Sequence, residues 1–442
     1  MKNEPHGIAV VGCGTVGGAT AQLLTKDAHY LQSRCGVDIP LKYIVDVDFS
    51  NAKSLGLSEK LFETELEKVL EDDEVKIVVE LVGGTTVARE ITQKALSSKK
   101  HVVTANKALL AHHGSELFAL ARTNGVSLAF EASCGGGIPV VRALYDGLTA
   151  NRLDALYGIV NGTCNYILTA MTQKGWTYDQ ALEEAQQDGL AEADPTLDVS
   201  GMDSAHKLAI LASLAFGGRV DLDTIPVEGI DALELMDVEF GRELGYIIKL
   251  LAVTQRMGDG ISLRVRPAFI GTDHPLAWIS GPFNAISVYG HAVGHTMYYG
   301  RGAGGRPTAS AVVSDIVSVA LGTFEKVFAL LNTWPDKTEP AKIIPVENIE
   351  SRYYIRLMVV DKPGVFAQIA TVLANNKISI SSVLQKEPPG EDNEPTVLPV
   401  VVTTHRAREG SIRKALAEFD QLEAVREKSV CISIIDEHEE RI

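Results

Sequence analysis

Short apolar runs alternate with longer mixed segments through the first 150 residues: GIAVVG, the helix-like TVGGATAQLLTK, then LKYIVDVD, VKIVVELVGG, HVVTANK and VSLAFEAS. Near-continuous Val/Ile/Leu runs separated by helical patterns predict parallel β-α units around a sheet buried on both faces. From about Asn151 the texture changes. LDALYGIV reads as a strand, Asn161 to Thr163 as a polar turn and the residues beyond as a helix. Trp176 to Gly189 is a second helix, and Met202, Ala205, Leu208, Ala209 and Ala212 carry helical spacing through a third. GYIIKLLAVTQR, ISLRVRPAFI and FNAISVYGHAV predict a second sheet, after which a helix starting near Thr308 returns toward the first domain. The proline-rich, charged TWPDKTEPAKIIPVENIESR reads as a linker. The remainder has the strand, helix, strand, strand, helix, strand order of a ferredoxin-like module, with EPPGEDNEP as a polar hairpin loop.

The expected organisation is an α/β domain at 1–150 completed by the returning helix at 308–330, an α+β domain at 151–307, a linker at 331–350 and a ferredoxin-like module at 351–442. The first domain carries a nucleotide signature. Gly12, Gly14 and Gly17 follow the first strand at GxGxxG spacing, with Thr15 and Val16 opening the helix behind them. Glycines so placed turn the chain, admit a pyrophosphate and allow close helix packing, which makes the domain Rossmann-like. Asp46 and Asp48 end the second strand, where an acid favours a free ribose 2′-hydroxyl; the expectation is NAD or NADP with NAD favoured, softened by the nearby Lys53. Gly83, Gly84, Thr85 and the segment Thr104 to Lys107 fall in loops at later strand ends, where Lys107 can hold an anion or take part in proton transfer, or simply begin a helix in solvent.

Charge and cysteine usage narrow the partners. With 57 acidic against 41 basic residues the net charge is −16, and no basic patch offsets it, so neither nucleic acid nor an anionic membrane surface is an expected partner. Cys13, Cys35, Cys134, Cys164 and Cys431 are widely spaced and odd in number, which argues against a disulfide framework or a structural zinc site. His291 and His295 lack an acidic neighbour in sequence. No signal-like start or membrane-length apolar run is evident, and a soluble cytoplasmic protein is expected.

The densest polar block is EADPTLDVSGMDSAHK, 192–207. Asp203 and Lys207, at i and i+4, share a helix face, and the apolar residues around them turn that face toward protein. Glu192, Asp194 and Asp198 precede it on an extended arm suited to gripping an amino group. Spacing leaves a surface ion pair and a catalytic pair equally open. His206, one residue from Lys207, is read as a structural or surface histidine.

Taken together, GCGTVGG, TANK (104–107), EASCGGGIP (131–139), NGTCNYI (161–167), the acidic block and GAGGRPTASAV (302–312) resemble the homoserine dehydrogenases over about residues 1–330. DKPGVFAQIATVLANNKISI (361–380) resembles an ACT domain, an amino-acid-sensing module. The resemblance implies reversible NAD(P)-dependent interconversion of L-aspartate 4-semialdehyde and L-homoserine, in threonine, methionine and isoleucine biosynthesis. It implies Lys207 as proton donor and acceptor with Asp203 beside it, Glu192 on the substrate and Lys107 as a second active-site lysine. Thr163 and Asn165 would shape the pocket, and Gly302 and Gly304 would approach the nicotinamide. It also implies a Na⁺ or K⁺ site at Glu131 with backbone oxygens of Cys134, Gly136 and Ile138. A feedback effector, L-threonine by pathway logic, would sit near Asp361, Gly364, Val365 and Asn376, in a homo-oligomer, dimer or tetramer. Removing residues after about 345 is then expected to leave catalysis measurable. A cysteine-thiolate enzyme using Cys134 or Cys164, or a nonenzymatic sensor, are the competing readings.

Overall fold

A computed structural model describes residues 5–386 and 397–439. The EPPGEDNEP stretch lies at 387–395, outside the described residues. Six parallel strands, β1 (Gly7–Val11), β2 (Leu41–Val45), β3 (Phe62–Glu63), β4 (Val75–Glu80), β5 (His101–Thr104) and β6 (Leu128–Ala129), form a sheet in the order β3-β2-β1-β4-β5-β6. Every residue of β1 is buried, as the unbroken apolar run requires of a strand covered by helices on both faces. The strand order reverses between β1 and β4, which places a crevice at their C-terminal ends. This is the Rossmann-like domain expected from the sequence. The returning helix, Gly305–Ala320, begins slightly earlier than expected and packs along the helix Thr15–Lys26.

The middle of the chain contributes β7 (Leu153–Ile159), β8 (Tyr246–Met257), β9 (Gly260–Gly271), β10 (Phe283–Gly290) and β11 (Gly294–Arg301), antiparallel in the order β11-β10-β7-β8-β9. Three of these strands were expected between residues 246 and 293; β11 was not. The helices Gly162–Lys174 and Met202–Phe216 pack on this sheet. In the Met202 helix every residue from Asp203 to Leu214 is buried, its charges included.

The C-terminal module has β12 (Glu350–Val360), β13 (Ile380–Gln385), β14 (Val397–Thr404), the short β15 (Ala407–Arg408) and β16 (Val430–Ile434), with helices Val365–Asn375 and Glu409–Phe419. Its order, β16-β12-β14-β13, is that of a ferredoxin-like fold, with β15 pairing the start of β12. The sheet does not end at the module boundary. Ser433 and Ile434 of β16 pair in parallel with Ala268 and Phe269 of β9, joining both sheets into one.

Residues 331–350 correct the linker reading: the segment is a docked strap. Trp334 is fully buried among Phe118, Phe130, Tyr145, Phe324 and Phe328, Arg122 grips Asp336, and Lys342 and Ile344 bond the backbone of Ile261. The composition was that of a tether, but one buried tryptophan and a backbone ladder are enough to fix such a chain.

Candidate active site

The glycine motif adopts the geometry a pyrophosphate needs. Gly12 has φ +91°, and a Cβ there would lie 2.7 Å from the Leu81 carbonyl. A Cβ on Gly17 would strike the Gly12 oxygen, whereas one on Gly14 would meet nothing within 4 Å, so the N-terminus of the Thr15 helix opens onto free space. Asp46 accepts the Cys13 amide from the glycine loop at 2.5 Å, fixing a negative charge at the end of β2. The carboxylate of Asp48, in contrast, is taken up by Ser50, whose backbone and hydroxyl both donate to it. Lys53 turns to Glu59 at 3.8 Å.

Beside these loops lies a cleft of about 360 Å³ lined by Val16, Gly83, Asn106, Lys107, Leu197 and His206. Buried Glu80 holds its β4 end in place by accepting the Val82 and Gly83 amides and the Thr104 hydroxyl. Thr104 therefore supports the cleft from beneath. Asn106 caps the helix Lys107–Thr123 through the Leu109 amide and donates to Gly84 O at 2.7 Å, tying the two strand-end loops together.

Asp203 forms the centre of the charged cluster. Its Oδ2 accepts from Lys207 Nζ at 2.7 Å and from Asn161 Nδ2 at 2.8 Å, and its Oδ1 lies 3.0 Å from Lys107 Nζ. Two lysines, one from each domain, thus bracket one carboxylate. Burial by itself would raise the Asp203 pKa; the charges of Lys207 and Lys107 and the bonds from Lys207 and Asn161 hold it well below the usual carboxylate range. Burial pulls Lys107 down, and Asp203 outweighs that, leaving it above the ordinary lysine value. Lys207 Nζ also donates to Val160 O at 2.6 Å. Val160 O receives Asn284 Nδ2 as well, and Gly302 packs directly on the Asn284 amide. Gly304, at φ +110°, leads into Gly305, which abuts the Thr15 carbonyl. The 302–305 segment therefore bridges the glycine motif and the lysine cluster.

Asn161 was read only as part of a turn. It caps the Gly162 helix at Cys164 N and spans Asp198 and Asp203 with its amide, so it sets the position of both acids. His206, discounted in the sequence, is 6% exposed and lines the cleft, its ring centroid 5.5 Å from that of His112; burial and then His112 push its pKa down. In the other direction, Asn165 is turned away from the cleft. Its amide donates to the carbonyls of Ile279, Gly281 and Phe283 and accepts Lys249, because it lies on the sheet-facing side of its helix. Thr163 donates to Leu190 O, and Glu192 and Asp194 are exposed, with Asp194 capping Thr196. His291 accepts the Arg152 amide and His295 stacks on Tyr289.

Glu131 accepts the Val141 and Arg142 amides, and its own amide donates to Asp315. Burial, then the charge of Asp315, raises Glu131 to about 8, and burial raises Asp315 to about 7, with Arg142 the neighbouring cation. Gly136, in the loop after Glu131, packs on the Gly302 carbonyl. Cys134 is fully buried, which pushes its thiol up to about 12, and burial raises Cys164 well above the ordinary value; neither is a ready thiolate.

In the C-terminal module Asp361 and Gly364 lie in the turn from β12 to the helix Val365–Asn375, with Gly364 at φ +94°. Asn376 sits at the other end of that 11-residue helix, bonded to Glu418. The two ends of this helix lie about 16 Å apart within one chain.

Residues 12–131 match the family described as homoserine dehydrogenase, NAD binding domain; residues 139–317 match homoserine dehydrogenase, and 353–424 the ACT domain. The chain is 44% identical to a homoserine dehydrogenase of Pseudomonas aeruginosa over 96% of its length and 97% of that protein. It is similar to the crystal structure of a homoserine dehydrogenase from Thiobacillus denitrificans, with 41% identity, a TM-score of 0.91 and 98% of each chain covered. A hyperthermophilic archaeal homoserine dehydrogenase in complex with NADPH matches 72% of this chain over 98% of its own, at 26% identity and a TM-score of 0.60.

Proposed function

The chain belongs to the homoserine dehydrogenase family, and from that premise we propose how its residues divide the reaction between them. The reaction is the NAD(P)-dependent interconversion of L-aspartate 4-semialdehyde and L-homoserine, in a protein that also carries an ACT regulatory domain. When bound, the nicotinamide supplies the hydride to the aldehyde carbon or takes it from the alcohol carbon. Lys207 moves the proton. An ammonium has three donors, and two of those on Lys207 are fixed by Val160 O and Asp203; the third is left for the substrate oxygen. That geometry is the observation that carries the assignment. In reduction, a proton leaves Nζ for the oxygen as the C=O π pair moves onto it. Asp203 holds Lys207 in place, and Lys107, across the same carboxylate, adds positive charge at the cleft wall. Asp198, fixed by Asn161, and Glu192 on the exposed arm are assigned to the substrate amino group.

The fixed Asp46 favours NAD over NADP, since Lys53 is turned to Glu59 and the acid would repel a 2′-phosphate. Buried Glu131 and Asp315 suit a monovalent cation, which the backbone oxygens of Cys134, Gly136 and Ile138 would complete as hard ligands. We further assign L-threonine as an effector, acting on a homo-oligomer. One assay tests these statements: initial rates of homoserine oxidation with NAD and NADP, at varied Na⁺ and K⁺, with and without L-threonine. We expect kcat/KM at least tenfold higher with NAD, a gain in rate or stability from one of the cations, and inhibition by threonine. Equal use of NADP removes the role given to Asp46, and no homoserine oxidation at all removes the reading of the site.

A further inference from the structure

A second cavity, of about 510 Å³, lies where the catalytic sheet meets the C-terminal module. Its floor is the end of the β8–β9 hairpin, with Arg256 and Arg264; its walls are the start of β12, at Glu350 and Ser351, and the chain after β16, at Asp436. Arg264 is 3% exposed and lines this space. Its Nη1 donates to the Ser351 hydroxyl at 3.2 Å, its Nε has no hydrogen-bond partner, and no carboxylate lies within ion-pair distance among the described residues. Its neighbour on the same face, Arg266, donates twice to Glu409 and so has the carboxylate that Arg264 lacks. Of the acids lining the cavity, Asp436 pairs with Arg352 and Arg406, Glu350 with Arg408, and Glu437 with Tyr289 and His295, while Glu439 is exposed. Arg256 donates to Leu153 O and stacks over Phe216, again without a carboxylate among the described residues.

A buried guanidinium without a counter-charge is costly, and the cost disappears when an anion with two acceptor oxygens fills the fork. We propose that this cavity binds a small organic carboxylate, its two oxygens on Arg264 and its charge shared with Arg256. The volume falls within the usual range of small-molecule sites, about 300 to 1,000 Å³. A ligand there touches β12 and the chain after β16 on one side and β8 and β9 on the other, so its occupancy is felt by both the module and the catalytic sheet. The site is separate from the Lys207 cluster and does not rest on the reading given to it.

The test is thermal unfolding of the full-length protein with sodium acetate or L-threonine, against sodium chloride at equal ionic strength. Both carboxylates should raise the Tm saturably where chloride does not, as binding to the folded state alone requires. In Arg264→Met the shift should vanish, with the ligand-free Tm unchanged or higher because an unpaired buried charge has been removed, and with kcat on homoserine intact. Arg256→Gln should weaken L-threonine binding at least threefold by calorimetric titration. A shift that survives Arg264→Met overturns the proposal, as does a fall in the ligand-free Tm of that variant, which would mark Arg264 as satisfied within the fold.

Discussion

Lys207→Ala should lower kcat for homoserine oxidation by about a hundredfold to ten-thousandfold, the usual weight of a positioned proton-transfer group, while dinucleotide binding stays near normal. In the proposed reading the glycine motif cradles the cofactor, and Lys207 is not part of it. Its Nζ faces Val160 O, Asp203 and the remaining open direction. Lys107→Ala should act differently, raising KM more than it lowers kcat, because Lys107 is partly exposed on the cleft wall and reaches Asp203 from the other domain. The pH profiles separate the two roles further. Asp203 is held well below the ordinary aspartate pKa, so it stays ionised and adds no limb to the wild-type profile above about pH 4. The same depression stabilises the fold at all pH values above the unfolded-state value, about 3.9, and that contribution is lost as pH falls from there through the folded-state value. Removing Lys207 takes away the largest of the charges that lower Asp203, and acid sensitivity should move upward. Near-normal turnover in Lys207→Ala would transfer the proton-moving role to another group, with Lys107 the first to examine.

Periodicity and glycine spacing made the Rossmann-like sheet, the Met202 helix and the i, i+4 pair of Asp203 and Lys207 legible in the sequence, because each is a local pattern. What the pattern does not encode is where side chains are consumed. Asn165 and Asn161 sit four residues apart in one motif, yet Asn161 bridges two acids and Asn165 ties down the 279–283 loop. Asn161 is the N-cap, outside the helix, whereas Asn165 lies within it on the sheet-facing side. His206 was discounted for facing away from Lys207, and it does, but the neighbouring domain closes over that side and makes it part of the cleft. Residues 331–350 have the composition of a tether and the packing of a core element, since Trp334 packs on Phe118 and Phe130 from the distant first domain as well as on neighbouring Phe324 and Phe328. The ties between the module and the catalytic sheet, such as Asp237 with Arg356, are of the same kind: long-range charge pairs leave no periodic trace.

Those ties change what truncation should do. Ending the chain at residue 345 removes Glu409 from Arg266 and both Arg356 and Tyr354 from Asp237, pairs that are at most 5% exposed and joined at 2.7 to 3.0 Å. It also uncovers the β9 edge at Ala268 and Phe269. Breaking one buried pair costs about 3 to 5 kcal/mol, and two such losses rival the whole stability of an ordinary domain, about 5 to 15 kcal/mol. The shortened chain should therefore be recovered aggregated or unfolded, with homoserine oxidation lost along with regulation, contrary to the expectation of a removable sensor. Point variants separate the electrostatic part from the rest. Glu409→Ala should lower the unfolding free energy by about 3 to 5 kcal/mol, measured by denaturant titration. The double change Arg266→Met with Glu409→Leu should recover most of that, since an apolar pair of similar volume replaces both charges. Soluble, fully active protein after truncation at 345 would show that the joined sheet is dispensable. Failure of the double variant to recover would mean that Arg413, which also grips Glu409, carries a share of the junction that the Arg266 pair alone does not.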